Sequence, residues 1–152
     1  MKSKILDACC GSRMFWFDKN NPNVLFIDNR KYSGELCDGR TLDINPDIIA
    51  DFTQMPFPDN TFYHIVFDPP HLIRIGDNAW MAKKYGKLPT PWQETIRLGF
   101  SECWRVLKPN GTLIFKWNEE QVLLSEVLKL APEPLYGNRR NKTHWIAFFK
   151  TE

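Results

Sequence analysis

A chain of 152 residues, 43% hydrophobic and 14% aromatic, can fill the core of a single domain without disulfide or metal staples. Its net charge of +2 excludes a global attraction to nucleic acid, so any such contact must come from local clusters. The four cysteines, Cys9, Cys10, Cys37 and Cys103, lack the paired spacing of a metal site, and there is no signal peptide and no apolar run of bilayer length, so a reduced, cytoplasmic chain without a bound metal is expected.

The chain opens with Ile5-Leu6, a short apolar run ending in Asp7, followed by Ala8-Cys9-Cys10 and then Gly11. A strand that runs into a glycine turn lets a ligand approach the backbone closely. Residues 14–17 are expected to form a helical turn, and residues 20–23 a loop. Val24-Leu25-Phe26-Ile27 reads as a second buried strand ending in Asp28, a carboxylate placed to accept from ribose hydroxyls. Residues 29–45 show no helical stripe and are expected to be loops or a reduced crossover. Residues 46–52 read as a third strand with Asp51 and Phe52 at its end.

Ile65-Val66-Phe67 is a β-branched and aromatic run, a buried strand by length and composition. Asp68 follows directly, and Pro69 and Pro70 stop the ladder because proline has no N–H to donate. A carboxylate and a proline carbonyl can accept two hydrogen bonds from one exocyclic amino group, and His71 offers a flat ring to stack on its substrate. Residues 72–95 make a long insertion in which Arg74, Lys83, Lys84 and Lys87 alternate with Trp80, Tyr85 and Trp92, a pattern suited to phosphates and bases.

Residues 91–107 carry Trp92, Ile96, Phe100, Cys103 and Leu107 at helical spacing, a core-facing stripe. Residues 108–111 read as a turn, residues 112–117 as a fifth strand, residues 122–130 as a helix broken by Pro132 and Pro134, and residues 135–149 as a closing hairpin with a basic tip. Alternating strands and helices predict an α/β fold. It is Rossmann-like, a mostly parallel sheet with helices on both faces and a C-terminal antiparallel hairpin. Asp7, Asp28, Asp51 and Asp68 then all fall at carboxyl ends of strands, where such sheets bind ligands.

Asp68-Pro69-Pro70-His71 resembles the (Asp/Asn/Ser)-Pro-Pro-aromatic motif of class I S-adenosylmethionine-dependent methyltransferases that act on exocyclic amino groups, chiefly of adenine or cytosine. His71 stands where that family usually has Tyr, Phe or Trp. Asp7 to Arg13 resembles the family's Asp-x-Phe-x-Gly-x-Gly motif, with Cys9 in place of Phe and Arg13 in place of the second Gly. The segment from Asp51 through Pro56-Phe57-Pro58-Asp59 to Phe62 resembles its adenine-binding region, and Leu107-Lys108-Pro109-Asn110-Gly111 its fifth-strand entry.

The resemblance implies one methyltransferase domain over residues 1–152, with a substrate loop at 72–95 and no separate target-recognition domain. S-adenosylmethionine is the implied cofactor, held by Asp7, Ala8, Cys9, Gly11, Asp28, Asp51, Phe52 and Asp68. Asp68, Pro69, Pro70 and His71 would carry catalysis, with Arg74, Lys83, Lys84 and Lys87 on the substrate. The implied reaction methylates an exocyclic amino nitrogen, most simply of adenine in DNA or RNA, with nucleic acid as partner and a second copy or partner subunit supplying what a small domain lacks. Alternatives are a catalytically silent scaffold, a guanine amino group or a glutamine amide. A dinucleotide oxidoreductase is disfavoured, since Gly11 lacks the glycines that would follow it.

Overall fold

The computed structural model describes residues 3–76 and 79–152. Asp77 and Asn78, inside the expected insertion, lie outside the described residues, as do Met1 and Lys2. The elements in chain order are β1 (Ile5–Asp7), β2 (Val24–Asp28), β3 (Tyr32–Glu35), β4 (Thr41–Ile44), β5 (Ile48–Ile49), β6 (Phe62–Phe67), α1 (Trp80–Tyr85), α2 (Trp92–Val106), β7 (Leu107–Asn118), α3 (Leu124–Leu128), β8 (Tyr136–Arg140) and β9 (Thr143–Phe149).

Seven strands form one sheet in the order β5-β2-β1-β6-β7-β9-β8. The first five are mutually parallel, and β9 runs antiparallel to both neighbours. The chain winds from β1 toward β5 on one side, then returns to β6 on the other side of β1. The order of strands therefore reverses between β1 and β6, which opens a crevice at their carboxyl ends.

Side-chain alternation explains why these residues make this sheet. On one face Leu6, Ile27, Ile65, Phe67, Leu113, Phe115 and Trp117 are buried in a single cluster with Ile96, Phe100 and Cys103 of α2 and Val127 of α3. Full burial of a side chain such as Phe100 or Ile96 contributes about 1.5–3 kcal/mol. The other face is covered near β1 and β2 by residues 8–23, whose Cys10 and Trp16 pack on Val24 and Phe26.

Arg105, in the last turn of α2, donates to Glu102, to Asp59 and to the carbonyls of Met55 and Phe57, which ties the loop before β6 to the helix. The helix end is closed from the other side by the buried Lys150 ammonium, which donates to the carbonyls of Trp104 at 2.7 Å and Leu107 at 2.6 Å. It satisfies acceptors that a helix end leaves without partners.

Several elements differ from their sequence-based expectation. Residues 14–17 make turns, with no helical turn among them. Residues 29–45 hold the β3–β4 hairpin, closed by its own cluster of Leu36, Leu42 and Ile44. The third parallel strand shrinks to Ile48–Ile49, and Asp51 lies beyond it in a turn whose carbonyl accepts from Gln54. Residues 108–111 are an irregularity inside β7, where Asn110 has φ of +67° and donates its N–H to the Lys150 carbonyl, while the Lys150 N–H donates to the Gly111 carbonyl. The helix expected over 122–130 is the single turn of α3.

Candidate active site at the carboxyl ends of the strands

Asp7 ends β1 fully engaged. Its carboxylate accepts the Cys9 N–H at 3.2 Å and the Trp16 indole N–H at 2.7 Å. Trp16 thereby pulls the turns after β1 back over the strand end. Burial raises the Asp7 pKa to about 7 despite those two bonds, with smaller contributions from Asp68 and Asp28.

Asp28 ends β2 and is buried. Its Oδ2 accepts the Gly11 N–H at 2.8 Å and its Oδ1 the Arg30 N–H at 3.2 Å. Gly11 has φ of +50°, a left-handed conformation that glycine adopts without steric cost. A Cβ there would meet only the Lys84 carbonyl, at 4.0 Å, so the backbone of the first turn is open to a ligand from above. Burial pushes the Cys9 and Cys10 thiols up, which makes them packing groups, and no cluster of metal ligands occurs among the described residues.

Asp51 is exposed. Its Oδ1 accepts from the Thr53 N–H and hydroxyl, at 2.8 and 2.7 Å, which leaves Oδ2 for a ligand. The ring of Phe52 stands edge-on to Phe67 at 5.1 Å, so the residue after the acid is fixed against the core. Asp68 follows the buried Phe67, and burial raises its pKa to about 6 while the Lys116 ammonium lowers it. His71 is half-buried and edge-on to Trp117 at 6.2 Å. Burial first, and Lys116 second, hold its pKa below the usual histidine value against the opposing pull of Glu120, so the ring is neutral at pH 7.

These groups line one cleft of about 820 Å³. That lies toward the upper end of small-molecule sites, roughly 300–1,000 Å³. The segment carrying α1 forms its roof, with the Lys84 carbonyl near Gly11 and Gly86 against Pro70. The roof is anchored at its base: Leu88 donates to the Leu72 carbonyl at 2.8 Å, and Gln121 Oε1 accepts from the backbone of Ile73 and Arg74.

No protein-family model and no curated protein sequence matches the chain. Solved structures do match. A Pyrococcus horikoshii protein superposes with a TM-score of 0.63 at 15% identity over 100% of this chain and 83% of its own. A Methanosarcina mazei protein described as a SAM-dependent methyltransferase gives 0.62 at 14% identity over 99% and 93%. The N-methyltransferase NodS of Bradyrhizobium japonicum gives 0.60 at 13% identity over 99% and 86%. The fold is a methyltransferase fold.

Within this methyltransferase fold, Asp7, Ala8, Cys9, Gly11, Asp28, Asp51, Phe52 and Asp68 all border the one cleft, as do Pro69, Pro70 and His71. Of the four cations expected on the substrate, Lys84 and Lys87 border it, whereas Arg74 is exposed and Lys83 half-buried outside its lining. The sequence reading missed Trp16, Arg30 and Lys116. Trp16 carried no signal beyond its aromaticity. Lys116 did: it lies near the carboxyl end of the fifth parallel strand, by the same rule that singled out the four acids.

Proposed function

We propose that the chain transfers a methyl group from S-adenosylmethionine to an exocyclic amino nitrogen, that of adenine in DNA or RNA. The observation that carries this reading is the convergence of Asp7, Asp28, Asp51 and Asp68-Pro69-Pro70-His71 on a single cleft at the switch point of the sheet. The donors and acceptors present fit the cofactor. Asp28 and Asp51 are carboxylate acceptors suited to ribose hydroxyls and an adenine amino group, and the open backbone at Gly11 admits a ligand closely.

Bound S-adenosylmethionine supplies an electrophilic methyl on a sulfonium. The chain's own contribution is placement. The Asp68 carboxylate and the Pro69 carbonyl accept the two amino hydrogens and aim the nitrogen lone pair away from them. Neutral His71, held against Trp117, stacks on the base. The amino nitrogen loses one proton when it gains the methyl, and Asp68, with a pKa of about 6, is the acceptor at hand. A base in a duplex would have to leave its stack to enter this cleft. Lys84 and Lys87, with the half-exposed Tyr85 between them, supply charge and a stacking surface at the rim.

Calorimetry with S-adenosylmethionine, followed by methylation of DNA and RNA pools read by nucleoside mass spectrometry, tests the proposal. Cofactor binding together with an N-methylated nucleoside supports it. Absence of binding at millimolar cofactor overturns it.

A further inference from the structure

Lys116 borders the cleft, and neither cofactor binding nor amino-group placement uses it. It lies on β7, half-buried, lines the cleft together with Asp68 and His71, and its charge acts on both. Its ammonium sits 5.9 Å from the ring of Phe15 and 6.0 Å from that of Trp145. Among the described residues it has no hydrogen-bond or ion-pair partner. Glu120, an exposed acid that acts on His71, makes no ion pair with it. Lysines withdrawn from water are normally paired.

Two further donors border the cleft at the same end. Asn118 is two residues along the same strand, so it shares the face of Lys116. It is paired in register with Thr143 of β9. The Asn118 amide is oriented by its own contacts: Oδ1 accepts the Glu120 N–H at 3.0 Å, and Nδ2 donates to Thr143 Oγ1 at 3.2 Å. The second amide hydrogen and the Thr143 hydroxyl proton remain to be donated. This end of the cleft therefore presents an ammonium, an amide N–H and a hydroxyl, a donor set suited to an oxyanion.

We propose that Lys116, Asn118 and Thr143 form an anion seat at the acceptor end of the cleft, and that it takes a phosphate of the nucleotide whose base is presented to Asp68. The inference rests on the nucleic-acid reading above and sharpens it: the substrate unit is a nucleotide, recognised by its phosphate as well as by its amino group. Arg30 and Lys84, also on the cleft lining, stand apart from these two strands, after β2 and in α1.

The test is equilibrium binding to protein saturated with S-adenosylhomocysteine, which keeps adenine probes out of the cofactor end. The probes are adenosine and cytidine, their 5′- and 3′-monophosphates, and inorganic phosphate. Wild type is expected to bind one monophosphate roughly tenfold or more tightly than its nucleoside, the range of a charge-assisted contact. Lys116→Gln should erase that preference while melting temperature and cofactor affinity stay unchanged, Lys116→Arg should keep most of it, and Thr143→Val should reduce it. Equal binding of nucleoside and nucleotide, a preference that survives Lys116→Gln, or inorganic phosphate binding as tightly as the nucleotide would overturn the seat. A preference lost in Lys116→Gln with no methyl reaching DNA or RNA would keep the seat and remove the nucleic-acid reading. Methylated nucleic acid with no phosphate preference would do the reverse.

Discussion

Asp7 and Asp68 are the residues whose chemistry departs most from that of a free carboxyl. In an unfolded chain Asp7 titrates near 3.8; in the fold it titrates at about 7. Between those values the folded state holds a proton that the unfolded state has lost. The Asp7 contribution to stability is thus fully present below pH 3.8 and is lost as pH rises through about 7. Asp68, raised to about 6, acts in the same direction. Cofactor-free protein should therefore resist urea better at pH 5 than at pH 8, and Asp7→Asn should flatten that difference; a flat wild-type profile would contradict the assignment. The proposed methyl transfer should run the other way, because the acceptor form of Asp68 is the carboxylate. Methyl transfer should fall as pH drops through about 6, and Asp68→Asn, which keeps one acceptor oxygen, should retain partial activity and lose that limb. Burial holds His71 toward its neutral form, so in the proposed reaction its ring is what matters: His71→Phe should keep most of the rate and His71→Ala should not, as single-turnover rates would show.

At the scale of elements, α2 is coupled to the site through Gly99. A Cβ at that position would lie 2.6 Å from Phe67 and 2.9 Å from Phe52, one of which precedes Asp68 while the other follows Asp51. Gly99→Ala should cost about 1–3 kcal/mol of stability by overpacking. It should also weaken cofactor binding, because Phe52 must shift; calorimetry on the variant reads both. At the rim, Lys84→Ala with Lys87→Ala should lower the slope of log binding constant against log salt by about two, since each phosphate that a lysine neutralises contributes roughly 0.9. The strands of this site were legible because Ile65-Val66-Phe67 and Val24-Leu25-Phe26-Ile27 are continuous apolar runs, and α2 because its stripe has helical period. The β3–β4 hairpin was not: Leu36, Leu42 and Ile44 close a small cluster that becomes visible only when the two strands are paired. Likewise the roof over the cleft depends on the hydrogen bond from Leu88 to Leu72 and on those that Gln121 accepts, which join segments far apart in sequence.

For the molecule as a whole, the ends of the five parallel strands supply one cleft, and the reversal of strand order between β1 and β6 is what brings them together. Alternation of strands and helices predicted that geometry, which is why the acids that line this cleft could be named from sequence, whereas Lys116 could not be weighed until Asn118 and Thr143 were seen side by side. Among the described residues no helix is long and apolar enough to cross a membrane. Binding of S-adenosylmethionine should stabilise the folded chain by mass action, about 2.7 kcal/mol at a hundredfold excess over Kd, and a melting temperature unmoved by cofactor would count against the cleft as its site. In the proposed reaction Asp68 orients the nitrogen that receives the methyl. The most direct test of that role is single-turnover methyl transfer to nucleic acid at saturating cofactor, compared between wild type and Asp68→Ala. Wild type should yield an N-methylated base, and Asp68→Ala, checked to be folded, should react more slowly by orders of magnitude. A near wild-type rate in Asp68→Ala would contradict that role.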